Sequence, residues 1–318
     1  MLMDKRLLSL LRLALRYRAT DIHFLITKND SVIEMRIDGV CRKVKGTPSD
    51  RKMIRYLQYL SNLDVGATRK PQTGQFEFEV DGQIVPLRFA VINDISMTNG
   101  VLRILNSKLQ INISNLSALD AQNKFFGKIL RKRSGLIIFS GPTGSGKTTS
   151  LYTLLKSVSG RKIYSVEDPV EVYHEEFVQL SINESIGFDY QKAVEQILRH
   201  DPDIIMIGEI REPKAAIMAV NAANTGHLVL TTLHSSKASS CISRMKELGV
   251  NEDNLYENLI CIVNQRMMFN SNTQKRQVVF EIMDQNEIEF YRKNKTNSKD
   301  YLSIDRQVEQ RYQNGLVY

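Results

Sequence analysis

The chain contains no tryptophan and only three cysteines among 318 residues. Cys41, Cys241 and Cys261 are far apart and form no Cys-x-x-Cys pair. A structural zinc site is therefore not expected, and a sparse, odd cysteine count fits a reducing compartment. Without Trp, and with Phe and Tyr mostly in core-like alternation, no aromatic platform is interleaved with basic residues for nucleobases to stack on. Long apolar runs are missing too. Residues 215–236 lack Asp, Glu, Lys and Arg, but Asn221, Asn224, Gly226, His227 and several threonines argue against a spanning helix. The segment from Leu7 to Arg16 is broken by arginines too often for a secretory leader. It reads as an amphipathic basic helix docked on its own domain.

The composition is that of a globular protein, 42% hydrophobic and 25% charged, and the length suggests two domains. The formal charge of +8 is uneven. Residues 1–134 hold 23 Lys and Arg against 12 Asp and Glu, whereas residues 135–318 hold 20 against 23. Most of these charges read as solvated surface. The basic half also suits a phosphate-rich partner, a membrane surface or arginines that meet a nucleotide.

Residues 20–45 alternate in strand fashion, with Ile22, Phe24 and Ile26, then Met35 and Ile37, and Asp38-Gly39 as a turn. Residues 50–63 carry apolar side chains at helical spacing. Gln75–Val80 and Ile84–Phe89 form strands joined at Asp81-Gly82, and Val101–Leu105 is a further strand. This predicts an α+β domain over 1–106 and a polar linker over 107–115. From 116 to 286, helices alternate with apolar strands at Gly135–Ser140, Lys162–Val166, Ile204–Gly208 and His227–Thr232. That alternation is the pattern of a parallel sheet covered on both faces. Residues 287–318, rich in Asn, Lys, Gln and Arg, read as a weakly packed tail.

Residues 141–149 read Gly-Pro-Thr-Gly-Ser-Gly-Lys-Thr-Thr, between a strand and a helix-compatible segment, the context of a P-loop. Gly141, Gly144 and Gly146 let successive backbone N–H groups cradle phosphate, with Pro142, Thr143, Ser145 and Thr149 completing the loop. Lys147 can reach the β- and γ-phosphates, and the Thr148 hydroxyl can hold Mg²⁺. A P-loop binds; hydrolysis also needs carboxylates against the γ-phosphate. One strand runs into Glu167-Asp168-Pro169-Val170-Glu171 and another into Glu209-Ile210-Arg211. Acidic residues at the carboxyl ends of parallel strands sit where phosphates lie. Asp168, Glu171 and Arg211 are secondary candidates beside Glu167 and Glu209. His234 ends the following strand and is the candidate γ-phosphate sensor, while His227, at the strand's start, serves equally well as a structural residue.

These boxes resemble, in order, the Walker A, Asp, Walker B and His boxes of the secretion ATPases that drive type II secretion and type IV pili. The quoted segments are Val166-Glu167-Asp168-Pro169-Val170-Glu171, Gly208-Glu209-Ile210-Arg211 and Thr225-Gly226-His227 through His234. The likeness continues upstream in Thr20-Asp21-Ile22-His23, Leu87-Arg88 and Leu102-Arg103, and downstream in Gln265-Arg266, covering roughly residues 18–268.

The resemblance implies a P-loop core of RecA type preceded by a smaller PAS-like α+β domain. It implies ATP with Mg²⁺ held by Thr148 and Glu209, and no zinc. Glu167 would orient or deprotonate the attacking water, a role Glu209 could exchange with it. His234 would sense the γ-phosphate. Arg88 and Arg103 occupy positions where relatives place arginines that reach the nucleotide, and Arg69, before Pro71-Gln72, is a third such candidate. Family members form hexameric rings and act on a polytopic membrane platform protein, which moves pilins. Localisation would be cytoplasmic, peripheral to the inner face of the membrane.

The short region before the matching domain, the missing four-cysteine module and the lack of an Ala-Ile-Arg segment resemble the compact branch that assembles a DNA-uptake pseudopilus. Pilus retraction is the alternative. A nucleic-acid translocase or helicase is the reading from another class, with direct nucleic-acid binding disfavoured.

Overall fold

The computed structural model describes residues 2–27, 30–37, 39–66, 70–94, 96–105, 112–170, 172–183, 187–272, 275–311 and 316–317. Arg69, Glu171, Asp38 of the first turn signal and most of the expected linker lie outside these residues. The chain divides into two compact units, Met1–Lys108 and Leu109–Tyr318.

The first unit begins with helix α1 (Leu2–Arg16), followed by strands β1 (Asp21–Thr27), β2 (Ser31–Ile37) and β3 (Val40–Val44). Helix α2 (Met53–Leu60) precedes β4 (Gln72–Val80), β5 (Gln83–Asn93) and β6 (Met97–Ile104). The strands form one antiparallel sheet in the order β3-β2-β1-β6-β5-β4. Asp81 and Gly82 both adopt positive φ, the conformation that joins β4 to β5 by a two-residue hairpin. On α1, Leu7, Leu10, Leu11 and Ala14 recur at helical spacing and are buried with Ile22, Phe24, Leu87, Phe89 and Leu102. Each such leucine contributes about 1.5–3 kcal/mol relative to exposure. The Arg6 guanidinium donates two hydrogen bonds to the buried Asp50 carboxylate, at 2.8 and 3.0 Å, which ties α1 to the turn before α2.

Strands β5 and β6 are longer than their apolar pattern predicts. Thr98 and Asn99 are polar, yet their backbones pair with Ile26 and Leu25 of β1, so the ladder extends without hydrophobic alternation.

The second unit contains α3 (Asp120–Ile129), β7 (Gly135–Ser140), α4 (Lys147–Lys156), β8 (Ile163–Glu167) and β9 (Val178–Ser181). It continues with α5 (Tyr190–Ile197), β10 (Ile204–Ile207), α6 (Pro213–Asn224), β11 (Leu228–Leu233), α7 (Ser240–Glu247) and α8 (Glu252–Asn258). The remaining elements are β12 (Leu259–Asn270), β13 (Lys275–Met283), α9 (Gln285–Asn294), α10 (Ile304–Arg311) and β14 (Leu316–Val317). The sheet order is β13-β12-β7-β11-β10-β8-β9, with β14 on β12. Every residue of β7, β10 and β11 is buried. Alternate side chains enter two cores: Leu136, Ile138, Ile205 and Ile207 join the one formed with α5, α6, α7 and α8, whereas Ile137, Phe139, Ile204 and Met206 join that of α3 and α4.

Two sequence expectations are corrected. The sheet is mixed rather than wholly parallel: β12 runs parallel to β7, and β13 and β14 pair antiparallel with β12. The stretch from Glu287 is also packed. Ile288, Ile304 and Val308 are buried, and the last two join Met268 and Val279 in a small core. The buried Glu281 carboxylate accepts from the Tyr301 hydroxyl and the Ile304 amide, so a few well-placed contacts dock a segment whose composition is polar. Among the described residues, no helix is long and apolar enough to cross a membrane. The uncharged run at 215–236 instead places alanines 215, 216, 219, 222 and 223 of α6 in the core.

Candidate active site

The loop between β7 and α4 is held from behind by β12. Gly141 has φ +141°, and a Cβ there would fall 2.2 Å from the Gln265 carbonyl oxygen, so only glycine fits. The buried Gln265 amide nitrogen donates to the Ser145 carbonyl at 2.6 Å. Gly146, at φ +86°, is the residue from which α4 starts. Lys147 is 8% exposed, and its ammonium donates to the carbonyls of Gly141 at 2.8 Å and Pro142 at 3.1 Å. Burial lowers its pKa, while the charge of Glu209 acts in the opposite direction. Ser145 Oγ is buried with no hydrogen-bond partner among the described residues. Thr148 and Thr149 occupy the first turn of α4, where backbone N–H groups lack helical acceptors. A glycine cradle, a desolvated cation and a helix N-terminus fit a phosphate group.

Parallel register sets the carboxylates beside this loop. Val166, Ile207, Thr231 and Ile138 are partners across β8, β10, β11 and β7. Glu167, Glu209 and His234 therefore emerge at one sheet edge, the edge from which the P-loop leaves β7. His234 Nε2 lies 2.9 Å from Glu209 Oε1, and Arg211 donates to Glu209 Oε2 at 2.7 Å. Glu167 is 4% exposed, and its Oε1 accepts from the hydroxyls of Tyr152 at 2.5 Å and Ser165 at 2.8 Å. Asp168, next to it, is exposed.

His227 is not part of this cluster. It precedes β11, about 23 Å of extended chain from His234. Its Nδ1 lies 3.1 Å from the Thr225 hydroxyl and 3.2 Å from the Ala222 carbonyl, a structural role at the opposite edge. Arg88 and Arg103 belong to the first unit, where they are direct cross-strand partners on β5 and β6. Arg103 also pairs with the buried Asp21 at 2.7 Å. Burial alone would raise the Asp21 carboxyl, but hydrogen bonds from Arg103 and Thr20 outweigh it and hold the group below its ordinary value.

Sequence reasoning missed Tyr152, Ser165, Gln179 and Tyr190, and it named Gln265 only within the family likeness, without its contact to the P-loop. The Tyr190 phenol is pushed up by burial and by the charges of Asp168, Glu209 and Glu167, with Arg211 opposing, so it stays protonated among the site carboxylates. Tyr152 was legible as a helix residue, and a buried Tyr hydroxyl generally finds a hydrogen-bond partner. That rule signals a bond without naming the acceptor.

Sheet order, glycine loop and strand-end carboxylates define a P-loop ATPase. Competence protein ComGA of Bacillus subtilis (strain 168) is 37% identical over 256 residues, 79% of this chain and 72% of that protein. The chain belongs to the type II/IV secretion system protein family, which matches residues 2–308. Type II secretion system protein E of Pseudomonas aeruginosa is 33% identical over 260 residues, 80% of this chain but only 52% of its relative. The crystal structure of the pilus retraction motor PilT with bound ADP has a TM-score of 0.74 at 24% identity. It covers 98% of this chain and 94% of PilT, a likeness of fold.

Proposed function

We propose that the chain is a magnesium-dependent ATPase motor, assembled as a homohexamer, that drives assembly of a type IV-like pseudopilus for DNA uptake through a polytopic membrane platform protein. The observation that carries the reading is the meeting of Glu209 and His234, 2.9 Å apart, at the sheet edge shared with the P-loop. Lys147 and the loop amides would bind the β- and γ-phosphates. Thr148 and Glu209 would hold Mg²⁺, which neutralises phosphate charge when bound. Glu167 accepts the proton of the attacking water as the bond between the β- and γ-phosphates breaks. His234 reports the γ-phosphate to Glu209. Arg88 and Arg103 stabilise charge on the transferring phosphoryl, a contribution of about 10³–10⁵ in rate where such an arginine acts. The likeness to a competence protein supports assembly rather than retraction. The chain works at the inner face of the membrane, bound through the platform protein.

The test is ATPase rate with oligomer mass by light scattering, with and without Mg-ATP, for wild type and Arg88→Ala. A hexamer with Mg-dependent turnover, lost in the variant while the ring persists, is expected. A monomer without turnover at high concentration would overturn the self-sufficient motor. In cells, deletion should abolish both the pseudopilus and DNA uptake; a persistent pseudopilus would favour retraction. Salt-dependent stimulation by single-stranded DNA would favour a translocase.

A further inference from the structure

Helix α4 carries the P-loop lysine at its first position and, five residues on, the buried Tyr152. The Tyr152 oxygen lies between two partners. It donates to Glu167 Oε1 at 2.5 Å and accepts from Gln179 Nε2 at 2.9 Å. Which way the phenolic proton points follows from Gln179. The His174 backbone N–H donates to Gln179 Oε1 at 2.6 Å, which identifies that atom as the amide oxygen. Nε2 then donates to the Val172 carbonyl and to the Tyr152 oxygen, both at 2.9 Å, with Glu167 Oε1 farther away at 3.4 Å. A phenol has one proton, and with its oxygen accepting from Gln179 that proton is committed to Glu167. The Ser165 hydroxyl donates to the same carboxylate oxygen at 2.8 Å. The ring is held separately: it stacks on Phe177 at 6.2 Å between centroids and lies 4.4 Å from His174. Burial and the neighbouring Glu167 push the phenol up, so it remains a donor throughout the working range.

We propose that Tyr152 is a positioning residue which, with its proton committed by Gln179 and with Ser165 beside it, fixes the rotation of the Glu167 carboxylate toward the attacking water. The proposal rests on the reading of Glu167 as the group that acts on that water. Because Tyr152 belongs to the helix that begins at Lys147, this helix ties the base to the phosphate cradle, while Ser165 holds it from its own strand. Two hydroxyl donors converging on one oxygen leave the carboxylate little rotational freedom, and near-attack geometry is sensitive to displacements of about 1 Å.

The test compares Tyr152→Phe, Ser165→Ala and Glu167→Gln in the full chain. Tyr152→Phe keeps the ring and removes only the hydroxyl. Steady-state Mg-ATP hydrolysis is measured alongside titration of a fluorescent ADP analogue and oligomer mass. Tyr152→Phe should lower kcat about tenfold while KM and ADP affinity change less than about twofold, and Ser165→Ala should act in the same direction. In the Glu167→Gln background, Tyr152→Phe should cause no further loss of residual turnover, since both act through one group. Should Tyr152→Phe not fold, Ser165→Ala and Gln179→Met carry the same comparison. An inactive Glu167→Gln beside wild-type kcat in Tyr152→Phe and Ser165→Ala would overturn the positioning role and leave the base assignment standing. So would equal losses from Tyr152→Phe in both backgrounds. Wild-type turnover in Glu167→Gln would overturn the base assignment, and the proposal with it.

Discussion

Strand β5 of the first unit alternates the buried Leu87, Phe89 and Val91 with Arg88, Ala90 and Ile92, whereas β7 of the second buries all six of its residues. A sheet with one core has a second face for charge. Across the first unit, Arg36, Asp21, Arg103, Arg88 and Gln75 are successive register partners on β2, β1, β6, β5 and β4, so four charged groups and one amide sit within the strands in one row. The central strands β7, β10 and β11, packed on both faces, have no such position, because an unpaired charge in either core is costly. In the second unit the reactive side chains consequently gather where strands end, at Glu167, Glu209 and His234. Where a carboxylate is buried there, as with Glu167, hydroxyl donors accompany it.

The largest expected effect separates the two units by activity. Lys147→Ala should reduce ATP turnover about 10³-fold, the scale of losing a preorganised charge-stabilising group. Hydrogen exchange of residues 1–108 should remain unchanged; faster exchange there would break the separation. Next, Arg6→Ala leaves Asp50 buried without its guanidinium. It should destabilise the first unit by about 3 kcal/mol, read as faster exchange in α1 and the following turn. The third pair addresses the two kinds of sheet. Ile205→Ala, in a strand with a core on each face, should cost about 2–5 kcal/mol by denaturant titration. Ile92→Ala, on the second face of β5, should cost about 0.5 kcal/mol or less. Similar losses would show that the faces differ less than their burial implies.

The last expected effect concerns pH. Burial, with Lys156 adding to it, lowers the His174 pKa to about 4. The folded histidine therefore stays neutral between pH 6.5 and 4 while the unfolded chain takes up a proton. The unfolded state binds more protons in that window, so stability falls as pH falls through it, by about 1 kcal/mol after solvent screening. His174→Gln should flatten that part of the stability profile in thermal unfolding, and an unchanged slope would assign the loss to other groups.

Legibility followed the distance between interacting residues. The P-loop is contiguous, because a phosphate cradle is made from successive backbone amides, and residues 141–149 were readable without the fold. Glu167, Glu209 and His234 were legible because each directly follows an apolar run. The β12–β13 hairpin was not, since its buried residues lack a distinctive turn dipeptide. Packing of the C-terminal segment was hidden because Ile288, Ile304 and Val308 are few among polar neighbours. His227 and His234 look alike in sequence, but strand direction places them at opposite edges.

Sequence alone determined the glycine loop, the strand-end carboxylates and the buried stripe of α1, since each depends on spacing within one segment. Tertiary structure decided which partners meet. Gln265 reaches Ser145 across 120 residues and Gln179 reaches Tyr152 across 27. The physical reason is that a buried polar group must find a hydrogen-bond partner, while the identity of that partner depends on which strands and helices pack side by side.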